Sequence, residues 1–154
     1  MLTNFNYFLG LMMIVSFFIQ YIIMSWVMTN DIQNIQHSLS KIYVSSIMAI
    51  IMGILEVFMH SFMTMSMSKI PFVYYYIPLF SSLVLFLWLY KKQVGVDDAN
   101  YLNEMIEHHS MALLTSEEIL KKTTNPQVKE LAENIIKTQN AEIQQMKNIV
   151  NREN

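Results

Sequence analysis

The side chains with the most evident chemistry are two adjacent histidines in the polar C-terminal part of the chain. Thioether, carboxylate and carboxamide groups recur around them at helical spacing. The full set of donors is Met105, His108, His109, Met111, Gln139, Glu142 and Met146. Imidazole nitrogen and thioether sulfur bind soft metal ions. This donor set therefore points to copper(I) or silver(I) rather than to hard ions.

The donors would meet at one level if two helices folded back on each other. A fold about residues 123–125 places His109 level with residue 140. One layer of an otherwise aliphatic interface then contains all the donor types, which is how helical bundles build metal sites. An iron pair would use a Glu-x-x-His motif, but the residue three before His108 is Met105.

The same layer has a simpler interpretation. One histidine lies in the core and bonds Glu142 or Gln139, while the other faces water. The polar layer then sets the register of the helices and binds nothing.

A second polar pair lies inside an apolar run. Glu56 and His60 are four residues apart, so they share one face of a helix. A charged group in mid-membrane is costly, which makes a functional role its default interpretation. The alternative is a passive contact, in which Glu56 bonds His60 or a neighbouring helix, or stays protonated.

Three apolar runs are long enough to cross a membrane, at residues 7–27, 42–63 and 72–90. A bilayer core of about 30 Å needs roughly 20 apolar residues as helix. Spans in lipid are helical because no water is present to bond a bare backbone. We predict a membrane domain at residues 1–92, with a kink or a shortened first turn at Pro78 in its third span.

Composition and charge support this division. Apolar residues make up 53% of the 154 residues and charged residues 14%, and only four of the charged side chains lie in residues 1–90. Soluble proteins usually carry about 25% charged residues. The net charge of −2 argues against nucleic acid as a partner. The absence of cysteine excludes disulfides and thiol chemistry, and methionine is abundant, with 14 residues.

The charged part of the chain predicts a hairpin domain at residues 93–154, with helices at about 97–123 and 126–151. Apolar residues recur there at a period near 3.6. Asn125 followed by Pro126 is typical of a helix start, and the short link makes the helices antiparallel.

Two helices alone leave half of each apolar stripe uncovered. We therefore expect the hairpin to need a partner, either a second copy or the membrane surface. A homo-oligomer that completes a four-helix bundle is the simplest solution. The predicted fold class is all-α, with three transmembrane helices followed by an antiparallel two-helix hairpin.

The run from Met105 to Ser116, MIEHHSMALLTS, resembles the signature of the family called domain of unknown function 305. Later positions continue the match: Asn125-Pro126-x-Val128, Leu131-Ala132-x-x-Ile135-Ile136 and Gln139-x-x-Glu142-Ile143-x-x-Met146. The sequence departs from the family pattern in two ways. Glu107 stands where a proline commonly precedes the paired histidines, and one hairpin is present where soluble relatives often have two.

The resemblance implies a ferritin-like helical fold. Some soluble relatives are periplasmic copper- or silver-binding proteins with histidine and methionine ligands in this motif. The implied ligands are His108, His109, Met105, Met111 and Met146, with Glu142 and Gln139 as accessory groups. The implied cofactor is a copper or silver ion.

The signals for membrane orientation disagree. Three lysines flank the membrane on the side of the hairpin and one on the other side, which favours a cytoplasmic hairpin. The resemblance implies the opposite, because membrane members of the family place the hairpin outside the cytoplasm. We expect an integral protein of the cell or inner membrane with an extracytoplasmic hairpin.

Three functions follow from these patterns. The first is a membrane-anchored copper(I) or silver(I) binder for metal buffering, delivery or tolerance. The second is a structural, oligomerising membrane protein whose polar layer only sets helix register. The third is a ferritin-like redox enzyme. We expect no enzyme, because the layer has too few carboxylates for an iron pair, and the sequence shows no nucleophile–base pair or phosphate loop.

Overall fold

The computed structural model of the protein describes residues 2–63 and 73–153. These residues form helices joined by short connections, and no strand occurs among them. The predicted all-α class is confirmed.

The chain divides into two compact units that interleave in sequence. The membrane unit contains Met1–Ile22 and Lys41–Val94, and the hairpin unit contains Ile23–Ser40 and Gly95–Asn154. The sequence-based division at residue 92 assigned Ile23–Ser40 to the membrane domain. In the structure this segment, which includes the end of the first candidate span and the loop before α3, belongs to the same compact unit as the polar helices.

Among the described residues, three helices are long and apolar enough to cross a membrane: Asn4–Met28, Leu39–Met63 and Val73–Lys91, with mean hydropathies of 2.1, 2.1 and 1.6. The first comprises α1 (Leu2–Phe18), a π-helical segment (Ile19–Met24) and α2 (Ser25–Met28). The second is α3 (Leu39–Met63) and the third is α4 (Val73–Lys91). The helix α4 continues through Pro78, so it is not shortened there, and the kink stays a prediction.

The core of the membrane unit is aliphatic and aromatic. Its buried residues are Phe5, Leu9, Ile50, Val57 and Leu79. Glycine at position 53 allows a close approach, because a Cβ there would lie 2.9 Å from Sδ of Met13. The remaining surface of these helices is largely exposed and apolar, as lipid-facing helices require.

The hairpin unit is built on α5 (Asp98–Leu120) and α6 (Pro126–Glu153). Their shared core contains Ile106, Leu113, Ile143 and Met146. The loop before α3 adds a 3₁₀ turn at Ile32–Asn34, which lies against α5.

Side-chain caps fix the starts of both hairpin helices. The carboxylate of Asp97 accepts the backbone N–H of Asn100 at 2.8 Å, at the start of α5. The side-chain oxygen of Asn125 accepts the N–H of Gln127 at 2.9 Å, and α6 begins at Pro126 as predicted.

Candidate functional site

The candidate site is centred on His109, which lies between the two helices of the hairpin. Its Nδ1 lies 2.7 Å from the carbonyl oxygen of Met105, one turn earlier in α5. Its Nε2 lies 2.9 Å from a carboxylate oxygen of Glu142 in α6. This contact joins two residues that the sequence-based alignment of the helices placed in one layer.

The contact between His109 and Glu142 requires an additional proton. The Met105 carbonyl only accepts, so Nδ1 carries a hydrogen and donates it. A neutral imidazole would then present a lone pair at Nε2 towards the lone pairs of the carboxylate. The 2.9 Å contact is a hydrogen bond only when the imidazole is cationic or the carboxyl group is protonated.

The neighbouring histidine lies in a different environment. His108 is 52% exposed and contacts Glu104 of its own helix, with 3.4 Å between Nε2 and Oε1. Successive residues point about 100° apart on a helix, so only His109 faces α6. Of the two histidines, His109 contacts Glu142 of the second helix and His108 is half-exposed.

The contact between His108 and Glu104 shifts both pKa values. The hydrogen bond to Glu104 and the charges of Glu104 and Glu107 raise the pKa of His108, against an opposing effect of burial. Burial alone would raise the pKa of Glu104. The hydrogen bonds from His108 and Ser40 and the charge of His108 together outweigh burial, so the pKa of Glu104 is lowered. The pair is therefore most favourable as imidazolium and carboxylate.

Two of the thioethers of the predicted site have packing roles. Met146 is 9% exposed and belongs to the aliphatic core, and Met105 packs against that core. Met111 and Gln139 are partly buried. Methionine commonly fills irregular gaps of this kind in cores.

The helix α5 also has a buried polar face that the sequence analysis missed. Ser110 is fully buried, and its hydroxyl donates to Oδ1 of Asn30 at 2.6 Å. The hydroxyl accepts the backbone N–H of Asn30 at 3.1 Å and the side-chain amide of Asn34 at 3.2 Å. One donor and two acceptor positions use the full capacity of a hydroxyl group. The Nζ of Lys147 donates to Oδ1 of Asn34 at 2.6 Å, which joins α6 to the same network.

Other side chains of α5 bind backbone groups of the same loop. Glu107 accepts the N–H of Gln36 at 3.1 Å, and Asn100 accepts the N–H of Leu39 at 2.9 Å. These residues lie seven apart, two turns along one helix face. The loop is thus held by α5 at several points. No local pattern predicted this contact, because its partners lie 61 to 80 residues apart in sequence.

The donors of the predicted metal centre lie in three environments. His109 contacts Glu142, the core holds Met146, and His108 faces water. Within residues 2–63 and 73–153, no group of three or more His, Asp or Glu side chains could hold a metal ion. The residues present therefore do not fit a centre of three nitrogen and oxygen donors. The arrangement observed is a polar contact between two helices.

The polar pair of the second span belongs to the membrane unit. The ring of His60 lies 4.2 Å from the ring of Phe5, centroid to centroid. Glu56 is partly buried on the same helix. A direct contact between Glu56 and His60 stays a prediction.

Comparison with known proteins supports the resemblance drawn from the motif. Residues 89–152 match the family model described as a domain of unknown function, DUF305. An uncharacterized protein of Acanthamoeba polyphaga mimivirus is 40% identical over 68 residues, which cover 44% of this chain and 45% of that protein. The chain thus spans less than half the length of this curated relative. No solved structure matches the chain.

Proposed function

We propose that this protein, in which a DUF305 segment at residues 89–152 follows three candidate membrane spans, is a membrane-anchored, non-enzymatic helical domain. Its polar contacts fix the register of its helices. The observation that carries the proposal is the position of His109, whose ring nitrogens lie 2.7 Å from the carbonyl oxygen of Met105 on its own helix and 2.9 Å from the carboxylate of Glu142 on the next.

The physical reason lies in the aliphatic faces of the two helices. Such faces tolerate a slip of one turn, about 5.4 Å, with little loss of apolar contact. A slip would separate His109 from Glu142 and leave partly buried polar groups unpaired, which costs about 1–3 kcal/mol. Single polar residues fix register in coiled coils in the same way.

Binding of copper(I) or silver(I), for metal buffering, delivery or tolerance, is the second candidate function. It is favoured by the orientation of His109, whose Nδ1–H donates to a backbone carbonyl, as in most metal-ligating histidines. Met105 and Met146 belong to the same layer of the hairpin and offer soft thioethers. Metal binding would require Nε2 of His109 to leave the carboxylate of Glu142 and coordinate the metal ion instead.

A copper(I) titration of the purified full-length protein, against a coloured copper(I) chelator, separates the two functions. The His109→Ala variant removes the candidate nitrogen donor. The double variant Met105→Leu/Met146→Leu removes the thioethers with little change in volume. The matched control is His108→Ala, which removes an exposed imidazole from the adjacent position.

If the role is purely structural, the parent protein has no stoichiometric copper(I) site. Of the variants, only His109→Ala should then have a lower melting temperature. The metal function predicts one equivalent of copper(I), with at least about a tenfold loss of affinity in His109→Ala and in the thioether variant. A stoichiometric site that is lost in these two variants and kept in His108→Ala would overturn the purely structural function.

Assembly into a homo-oligomer is a further part of the proposal. Leu131 is 60% exposed on α6 and Ile119 is 41% exposed near the end of α5, so the hairpin unit still presents apolar side chains. Light scattering of the full-length protein in detergent tests this part, with Leu131→Gln as the variant. An oligomer that dissociates in the variant supports the proposal, and a monomeric parent protein contradicts it.

A further inference from the structure

The start of α5 is bonded to the start of the second candidate span. The side-chain oxygen of Asn100 accepts the backbone N–H of Leu39, the first residue of α3, at 2.9 Å. One turn later, the carboxylate of Glu104 accepts a hydrogen bond from the side chain of Ser40. The first N–H groups of a helix have no partner within that helix, so capping side chains or water must satisfy them. The first turns of α5 therefore supply polar partners at the point where the span begins.

A later turn of α5 is bonded to the chain that leaves the first candidate span. The hydroxyl of Ser110 accepts the backbone N–H of Asn30 at 3.1 Å, and Asn30 lies two residues after Met28, where the span ends. Thr29 stays bonded to the span, because its N–H and its hydroxyl both donate to the carbonyl of Ser25. The last turn of the span, α2, also lies against α5. The helix α5 is thus attached both to the end of the first span and to the start of the second.

The two attachments determine the direction of α5 relative to a bilayer. Asn100 and Ser110 are ten residues apart, which corresponds to about 15 Å along a helix. In a membrane-anchored protein the chain leaves the hydrocarbon at Met28 and enters it again at Leu39, so both attachments belong to one surface of the bilayer. A helix that is bonded at both points lies along this surface and does not project from it.

The second helix of the hairpin packs on the opposite side of α5. His109 contacts Glu142 of α6, and Leu113 belongs to the core that α5 shares with α6. These two residues follow Asn100 and Glu104 by nine positions each, or about two and a half helical turns, so they point the other way. The helix α5 therefore lies between the span ends and α6.

We propose that α5 is an interfacial helix, which lies on the headgroup region of the bilayer with α6 on its aqueous side. The proposal rests on the membrane anchoring in the proposed function. Tyr101 is 54% exposed beside the start of the second span, and tyrosine is typical of the interface between hydrocarbon and headgroups. Charged residues of both signs adjoin the span ends in sequence, namely Asp31, Lys41, Lys91, Lys92, Asp97 and Asp98. The contact therefore needs no particular lipid charge, and zwitterionic lipid suffices to test it.

Tryptophan fluorescence of the full-length protein in phosphatidylcholine vesicles tests this position. A Trp26→Phe/Trp88→Phe background removes both native tryptophans. Single reporters are then introduced by Tyr101→Trp and His108→Trp, at two exposed positions that lie seven residues apart on one flank of α5. The matched control is Gln145→Trp, at an exposed position of α6. Circular dichroism checks that all variants retain their helices.

A helix that lies along the surface keeps positions 101 and 108 at one depth, although they are about 10.5 Å apart along its axis. Lipids with bromine near the carbonyl end of the acyl chains should therefore quench these two reporters equally, and about twofold more than the reporter at position 145. Gln145 follows the core residue Ile143 by about 200° around α6, so it points away from α5. Acrylamide in the aqueous phase should quench the reporter at position 145 most strongly.

Lipid quenching at position 108 that is as weak as at position 145 would show that α5 projects from the surface, which would overturn the proposal. So would reporters at positions 101 and 108 that neither brominated lipid nor acrylamide reaches, since a second copy of the protein would then cover this flank.

The Trp26→Phe single variant distinguishes these failures from failure of the membrane anchor, because it retains Trp88 in the third candidate span. Brominated lipid that quenches Trp88 but not the reporters on α5 leaves the anchor in place and removes the interfacial helix. Brominated lipid that quenches none of them contradicts the anchor as well.

Discussion

The ring nitrogens of His109 lie close to oxygen atoms of both hairpin helices, whereas the neighbouring His108 contacts Glu104 of its own helix. The difference follows from the geometry of consecutive helical residues and determines what each side chain contributes. His109 connects two elements, so its loss affects tertiary structure. His108 is half-exposed, so its loss affects a local ion pair.

Removal of the partner of His109 should destabilise the hairpin unit. Glu142→Ala leaves an imidazole that is 21% exposed without its contact on α6, and we expect a loss of about 1–2 kcal/mol in the free energy of unfolding. Denaturant unfolding followed by circular dichroism measures it. Glu133→Ala removes an exposed carboxylate of the same helix and should stay within about 0.5 kcal/mol of the parent. Equal stability of the two variants would show that the contact contributes nothing.

The ion pair of His108 with Glu104 should stabilise the protein within a limited pH range. The pKa of His108 is raised in the folded state, so its contribution is complete below the ordinary value near 6.5 and is lost as the pH rises through the folded value. The pKa of Glu104 is lowered, so its contribution is present above about 4.5 and is lost as the pH falls through its folded value.

We therefore expect the difference in melting temperature between the parent and His108→Gln to be largest between about pH 4.5 and 6.5 and to vanish under alkaline conditions. The half-exposed position of His108 limits the effect to less than about 1 kcal/mol. A difference that stays constant from pH 5 to pH 9 would contradict this assignment.

At the scale of elements, the main feature is the attachment of the loop before α3 to the buried polar face of α5. The hydroxyl of Ser110 accepts hydrogen bonds from the backbone N–H of Asn30 and the side-chain amide of Asn34, and it donates one to Oδ1 of Asn30. This attachment covers a polar face of α5, whereas the sequence analysis sought a partner for the apolar stripes of the hairpin. The expectation of an oligomer therefore stays, because Leu131 is exposed.

Ser110→Ala should release the loop. The change leaves buried polar groups of Asn30 and Asn34 with fewer partners, so we expect a loss of about 1–3 kcal/mol. Hydrogen exchange should become faster at the amides of Asn30, Gln36 and Leu39, because α5 holds all three. Thr115→Ala is the control, since that exposed hydroxyl bonds only carbonyls of its own helix. Unchanged exchange in Ser110→Ala would show that the network does not hold the loop.

The elements were predictable where their signals are local. The cap at Asn125 and the start of α6 at Pro126 depend on neighbouring residues, and the structure confirms both. Periodicity was less decisive between adjacent apolar residues. A period near 3.6 admits both Leu131 and Ala132 to the apolar stripe of α6, but Leu131 is 60% exposed and Ala132 is 3% exposed. The contact of Ser110 with Asn30 has no local signal, because it joins residues 80 positions apart.

At the scale of the whole molecule, the interleaving of the two units constrains the path of the chain through a membrane. The loop that follows the first candidate span and the hairpin that follows the third belong to one hydrogen-bonded unit. Both must therefore lie in the same aqueous compartment. That condition is met when all three candidate spans cross the bilayer and the chain between the second and third spans lies on the opposite side.

Single-cysteine labelling tests this topology without background, because the chain contains no cysteine. Ile32→Cys lies in the loop of the hairpin unit, where the native side chain is 69% exposed, and Lys129→Cys lies at an exposed position of α6. Ser68→Cys lies between the second and third candidate spans in sequence. In sealed vesicles, a membrane-impermeant maleimide should label positions 32 and 129 from one side and position 68 from the other.

The side that bears position 129 also decides between the lysine count, which favours a cytoplasmic hairpin, and the family resemblance, which favours an extracytoplasmic one. Labelling of positions 32 and 129 from opposite sides would contradict the packing of the loop on α5, since hydrogen-bonded partners cannot lie across a bilayer.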